Sequence, residues 1–282
     1  MATDATARPS ALAGGVPNRV RGGIRGGIGI GVKIAGVVAL LLVWYVLSAI
    51  GMLDANSVPG PGATFRALAE ESGRQQFWSA VGQTVLGWGL GLTLGATVGL
   101  LLGTFLALNR FAERSSAVVV EFFKTVPVIA VLPLAILVMG TTLTMKVVLV
   151  GFGVAWPLLV QTSYGVKSMD PVIRDTATVL GVGRVRRFFG VVMPSASPFI
   201  ATGLRVAASG ALTITIVTEL IAGGRGLGVE ITTAAISGVQ ALPAMYARII
   251  AAGLLGVTVA LLFTVAERRL LRWHDAYRPE HS

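Results

Sequence analysis

RDTATVLGVGRVRRFFGVVMPSASP, residues 174–198, is a basic passage set between two long apolar runs, and it carries Arg174, Arg184, Arg186 and Arg187. Just ahead of it, Asp170 is placed to cap a helix and Pro171 suits the first helical position, where a missing N–H costs nothing. The helix is expected to run to about Leu180, with Gly181 supplying a left-handed stop. A second short helix follows, with Val185, Phe188, Phe189 and Val192 on one face and Arg184, Arg186 and Arg187 opposite. Pro194 and Pro198 are expected to close it before the next apolar run. The passage therefore reads as a two-helix projection. By physics alone it is either an interfacial amphipathic element with snorkelling arginines or a rigid lever.

Composition supplies the setting. The chain has 282 residues, 54% hydrophobic and 13% charged, well under the quarter usual in soluble domains. Six apolar runs follow a glycine- and arginine-rich arm at 1–33: 34–53, 80–108, roughly 118–140, 146–166, 198–222 and 247–271. About 20 residues suffice to cross the hydrocarbon core, so an all-α polytopic membrane protein of about six transmembrane helices is predicted. The net charge of +10 is not gathered in one patch but recurs between apolar runs, which is a topology signal rather than a nucleic-acid surface. With the N-terminus taken as cytoplasmic, sixteen Lys and Arg fall in inside segments and five in outside ones. Both termini, the arm at 1–33, the tail at 274–282 and the two-helix projection are thus expected to be cytoplasmic.

Two outer segments carry structure of their own. The stretch after the first run opens on Pro59-Gly60-Pro61, a turn, and continues as a short helix. Residues 223–246 are longer than a simple loop and are expected to hold a helix lying at the surface or dipping part-way in.

Gly87, Gly91, Gly95, Gly99 and Gly103 recur every fourth residue and form one stripe of the second span. Such a stripe lets another backbone approach closely, within the subunit by preference, or against a second subunit. Arg205, about two turns into the fifth span, needs a partner. Glu121 is the candidate for a structural ion pair near the inner gate, with attraction of an anionic substrate as the alternative role of Arg205. Glu219 reads equally as a snorkelling carboxylate or as an outer-gate contact. Trp156, Gln161 and Thr162 are candidates to face a pathway, although Trp156-Pro157 also fits a kink filled by an aromatic ring. Pro127 and Pro133 are expected to bend the third span.

The projection resembles the EAA loop of ABC-importer permeases: E-A-A, three residues, G, nine residues, I, any residue, L-P. Asp175-Thr176-Ala177 stands at E-A-A, Gly181 at the glycine, Val191 at the isoleucine and Met193-Pro194 at L-P, with every interval kept. Asp, Thr and Met replace Glu, Ala and Leu. The stretches SVPGPGATFRAL, KTVPVIAVLPLAILVMG, AWPLLVQTSYGVKSMDP, PFIATGLRVAASGALTITIVTELI, GRGLG and ERRLLRW extend the likeness over residues 34–273, to permeases of the nitrate/sulfonate/taurine family. The resemblance implies a type I importer permease fold in the bacterial inner membrane. It implies two permease copies (a homodimer, or a heterodimer with a sister chain) and two ATPase subunits that hold ATP and Mg. It also implies a substrate-binding protein outside the cell and a small anion or zwitterion as cargo. Coupling helices at 170–194 would engage the ATPases through Asp175, Thr176, Ala177, Leu180, Gly181, Arg184, Val191, Met193 and Pro194.

Other classes fit less well. No G-x-x-x-x-G-K-[ST] occurs, and the GGRGLG at 223–228 lacks the strand-to-helix setting of a phosphate loop and reads as a turn. There is no cysteine, and His274 and His281 lie in the polar tail, so neither a metal centre nor a catalytic cluster is expected. The remaining alternative is an ATP-independent channel or ion-coupled transporter, which would favour inverted repeats and midplane carboxylates that the sequence does not display.

Overall fold

The computed structural model describes residues 22–54 and 56–271, and all regular structure among them is helical. The chain forms two units, Met1–Pro61 and Gly62–Ser282. In the first, α1 spans Gly22–Ala49 and carries the apolar stretch Ile34–Ala49. It starts ahead of residue 34 because a nucleated helix gains one hydrogen bond for each residue added. Gly51, at φ +74°, turns the chain out of it. Asp54 then organises the next turn, its carboxylate accepting from Asn56 N at 3.0 Å. Residues 1–21 of the expected arm, and the whole of the tail at 274–282, lie outside the described residues.

The second unit holds all but the first residue of α2 (Pro61–Ser72), then α3 (Gln75–Leu108), α4 (Arg110–Thr125), α5 (Val128–Met139) and α6 (Leu143–Lys167). The projection follows as α7 (Pro171–Val179) and α8 (Arg184–Arg187), then a π-turn at Phe188–Val192 leads into α9 (Met193–Ala222). Finally come α10 (Leu227–Ile236), a 3₁₀ turn at Val239–Ala241 and α11 (Leu242–Leu270). Four helical runs among the described residues are long and apolar enough to cross a bilayer: α3, α6, Arg184–Ala222 and Val239–Leu270.

The glycine stripe sets the central packing. A Cβ on Gly91 would fall 2.6 Å from Val150 Cβ, on Gly95 2.5 Å from the Gly151 carbonyl oxygen, and on Gly103 2.5 Å from that of Leu159. Only hydrogen fits at these positions, so the α3 and α6 backbones touch. Each four-residue step along α3 meets a step in the same direction along α6, from Lys146 under Gly87 to Thr162 under Gly103. The two helices are therefore parallel. The chain between them must return to its starting end, and α4 with α5 makes that return. Glu113 of α4 pairs with Lys167 at the far end of α6, Phe123 stacks on Trp156 midway, and α5 packs on Met145 and Leu149 at the near end. The bend expected at Pro127 is present, and it is sharp enough to break the third span, 87° between α4 and α5. Val126 precedes Pro127 and takes an extended backbone (φ −67°, ψ 119°), because the proline ring disfavours a helical predecessor. Pro133, by contrast, lies within α5 without ending it.

On its other side α6 meets α9, antiparallel: Gly165 faces Ala196 and Phe199, Gly203 faces Leu158 and Gln161, and Gly153 faces Ile214. Leu92, Val150, Val154, Ala207, Ala208, Ala211, Leu212 and Val259 form the shared core of α3, α6, α9 and α11. Trp88 Nε1 donates to the Ala208 carbonyl at 2.8 Å within it.

Candidate functional site

The projection is built as the sequence indicates for its first half. Asp170 Oδ1 accepts from Val172 N at 2.8 Å and Pro171 opens α7. At the other end Gly181 N donates to Thr178 O and Val182 N to Ala177 O, both at 3.0 Å, with Gly181 at φ +67°. That pair of bonds is a Schellman stop, and the positive φ is why glycine stands there. Ala177 is buried, whereas Val172, Asp175, Thr176 and Val179 share the outward face at i, i+3, i+4, i+7 spacing. Val179 is 87% exposed and its neighbour Leu180 73%. Arg187 Nη1 reaches back to Thr178 Oγ1 at 2.6 Å, bracing α7 against the chain that follows.

The second half differs from expectation. Pro194 and Pro198 do not close a separate helix; the helical run from Arg184 to Ala222 is continuous. The π-turn explains it: Met193 N bonds Phe188 O, five residues back, and the widened turn makes room for the Pro194 ring that an α-turn would strain. The extra residue also rotates the register. Phe188 and Val192 pack inward with Val166, Ala196, Met169 and Ile200, whereas Val185 and Phe189, expected on the same face, are exposed. Arg184 and Pro194 are exposed, and Val191 and Met193 are half-buried at the base. Beside that base a cavity of about 650 Å³ opens between the α3 end, α4 and the projection, lined by Arg110, Glu113, Lys167, Thr178 and Arg187 among others.

The membrane-embedded ionisable residues pair otherwise than expected. Arg205 Nη1 stands 3.0 Å from Glu267 Oε2 on α11, and Thr202 Oγ1 donates to Glu267 Oε1 at 2.9 Å. Glu121 bonds Lys124 on its own helix at 2.7 Å, so the predicted Glu121–Arg205 pair is replaced by two others. The Glu121 side chain is 66% exposed on α4, whereas the Glu267 carboxylate is enclosed against α9 beside Arg205.

Glu219 is neither snorkelling nor at an open gate. It is fully buried, accepting from Lys146 Nζ at 2.6 Å, Thr84 Oγ1 at 2.8 Å and Gly228 N at 3.0 Å. Lys146 Nζ also donates to Arg225 O, and Leu227 N donates to Thr84 Oγ1, both at 2.8 Å. One carboxylate thus ties α3, α6 and α9 together and caps the N-terminus of α10, where the helix dipole favours negative charge. The GGRGLG segment has a structural reason: a Cβ on Gly226, at φ +143°, would fall 2.1 Å from the Glu219 carboxylate. A second network joins α2, α10 and α11, with buried Glu71 bonded by Arg248 Nε at 2.9 Å.

Of the pathway candidates, Thr162 is fully buried and bonds Leu158 O at 2.7 Å. Gln161 is half-buried against Gly203. Trp156 stacks on Phe123 (centroids 4.8 Å, planes 8° apart), filling the elbow before the α4–α5 break, and its buried Nε1 has no hydrogen-bond partner among the described residues. Lys146, Thr84, Glu267 and Glu71 were not singled out from sequence. For Lys146 and Glu267 the available signal was a charged residue within or at the edge of an apolar segment.

Residues 95–272 match the family model described as the binding-protein-dependent transport system inner membrane component, and the chain belongs to that family. It is a permease subunit of binding-protein-dependent ABC import, not an enzyme, which sets aside the channel and ion-coupled alternatives. A probable ABC transporter permease protein of Brucella abortus is 30% identical over 236 residues, covering 82% of this chain and 91% of that one. The taurine transport system permease protein of Escherichia coli is 26% identical, covering 86% and 89%. The bicarbonate transport system permease protein of Synechococcus elongatus is 24% identical, covering 78% and 82%. The fold is shared with a bacterial ABC transporter involved in import of the acidic polysaccharide alginate (TM-score 0.63, 15% identity, 87% of this chain and 97% of that one). It is also shared with the MetNI methionine ABC transporter in an inward-facing conformation (TM-score 0.58, 19% identity, 71% and 95%).

Proposed function

We propose that this chain is the inner-membrane half of an ATP-driven importer for a small anion or zwitterion, with α7 as the handle of a separate ATPase. The observation that carries the reading is the outward face of α7. Val172, Val179 and Leu180 are exposed around Asp175 and Thr176 on a helix fixed at both ends. A short helix with an exposed apolar face suits a groove on a partner. Motion of that handle passes into the span through the short turn at 180–183, which Arg187 braces against Thr178, and then along one helical run from Arg184 to Ala222. ATP and Mg sit in the ATPase, two copies of which engage two permease copies.

Six spans follow if α1 and the α4–α5 pair each count as one, and the parallel course of α3 and α6 supports counting the pair. Both termini and the projection are then cytoplasmic. Ion pairing strengthens the charge asymmetry, since Arg74, Lys146 and Arg248 on the opposite side are each matched by a carboxylate. The taurine and bicarbonate relatives favour a small oxyanion or sulfonate, delivered by a binding protein outside the cell. The test is co-purification with the ATPase and binding protein, then ATPase activity across sulfonates, taurine, nitrate and bicarbonate. Gly181→Pro and Asp175→Arg are expected to insert normally yet lose substrate-stimulated ATPase activity and uptake; normal uptake in both removes the handle.

A further inference from the structure

A cavity of about 400 Å³ lies at the end of α6 remote from the projection, beside the Lys146–Glu219 pair. Its wall includes Gln83 of α3, Thr142 at the start of α6, Lys146, Thr218 of α9, Gly224 and Arg225, and no aspartate or glutamate. Three polar groups there are unspent. Thr218 is 2% exposed and makes no hydrogen bond to any described residue. The Gln83 side chain likewise has no partner among the described residues, and the Arg225 guanidinium has no ion pair among them. Thr218 is thus almost wholly enclosed, yet its hydroxyl is not among the fully buried unpaired atoms, and it stands in the cavity wall available to a ligand or water.

The electrostatics of the cavity have one sign. The Lys146 charge is matched by Glu219, which lies fully buried, so Arg225 leaves the wall with an unmatched positive charge. The 25-residue helix α6 also begins here, with Thr142 Oγ1 accepting from Met145 N at 3.1 Å. The amides ahead of Met145 have no intrahelical partner, and the positive end of the helix dipole meets the cavity. A cation would face Arg225 and that helix end with no carboxylate to receive it. An anion with several acceptor oxygens would meet a charge, a hydroxyl, an amide and main-chain N–H groups.

We infer that this cavity binds a small oxyanion of the sulfonate, sulfate, nitrate or bicarbonate class. Arg225 supplies the charge, and Thr218, Gln83 and the first turn of α6 supply hydrogen bonds. The volume of about 400 Å³ admits a compact solute. Its place at the outer mouth, where a binding protein would release its cargo, rests on the import reading above; its chemistry does not. Lys146 Nζ holds the Arg225 carbonyl as well as Glu219, so a bound anion would sit against the segment that leads into α10.

The test uses the full chain in lipid nanodiscs, with radiolabelled sulfate and ethanesulfonate as probes. The wild type is expected to bind at least one saturably, with nitrate competing and choline not competing. Arg225→Gln is expected to weaken binding about ten-fold, and Thr218→Val by about three- to ten-fold, as for loss of a charged and a neutral hydrogen bond. Thermal stability should stay unchanged, since neither side chain has a hydrogen-bond or ion-pair partner to lose among the described residues. No saturable binding in the wild type, or wild-type affinity in both variants, overturns the site. Uptake by the reconstituted importer separates the two claims. Binding without ATP-driven uptake of any anion keeps the site and removes its role in import. Normal uptake with no binding removes the site and leaves the import reading standing.

Discussion

Removing one member of the buried Lys146–Glu219 pair should destabilise the protein far more than removing both. Glu219 is fully buried and the Lys146 side chain 7% exposed, so neither charge can turn to water if its partner is lost. In Glu219→Gln the amide still accepts from Thr84 and the Gly228 amide, but the ammonium is left enclosed without a counter-charge. A buried pair broken in this way typically costs about 3–5 kcal/mol. At roughly 2–4 °C per kcal/mol, the midpoint of thermal unfolding should fall by on the order of 10 °C. Lys146→Met in the wild-type background strands the carboxylate and should cost a similar amount. The double variant Lys146→Met/Glu219→Gln buries no charge and should recover more than half of the loss. Thermal unfolding in detergent, followed by tryptophan fluorescence, supplies the four corners of the cycle. Single variants within about 1 kcal/mol of wild type, or a strictly additive double, would refute the buried lock.

The glycine stripe predicts position-dependent tolerance on one helix. Gly95→Val should destabilise by roughly 1–3 kcal/mol or more, because its Cβ would fall 2.5 Å from the Gly151 carbonyl oxygen, whereas Gly89→Ala, with nothing within 4 Å, should be nearly neutral in the same unfolding assay. Charge swaps should distinguish the partners of Arg205. Arg205→Glu/Glu267→Arg is expected to restore part of the expression lost in the singles, measured by detergent-soluble yield, and Arg205→Glu/Glu121→Arg to restore none.

Four of the long apolar helices and the first helix of the projection were legible because each rests on local chemistry. Run length marked α3 and α6, Asp170-Pro171 marked the start of α7, and Gly181 its stop. Four-residue spacing marked the close-packing face of α3, though not that α6 would fill it in parallel. What was illegible depended on partners far apart in the chain. Glu219 and Lys146 are separated by 73 positions, and nothing at either site announces the other. Arg205 was marked as needing a partner, but Glu121 was chosen for its place near the inner end of the third span, whereas the carboxylate that meets Arg205 is Glu267 on α11. Pro194 and Pro198 misled for a different reason. Proline usually ends a helix, and no local pattern foretold the π-turn that carries the chain past Pro194.

The handle is tested most directly by one engineered thiol, since the sequence contains no cysteine. Leu180→Cys in the assembled transporter should cross-link to the ATPase subunit with a short thiol-directed reagent and thereby stop uptake. In the permease alone it should react with a membrane-impermeant maleimide in inverted vesicles but not in intact cells. Labelling from the cell exterior, or an intact complex in which Leu180→Cys never cross-links to the ATPase, would contradict a cytoplasmic handle.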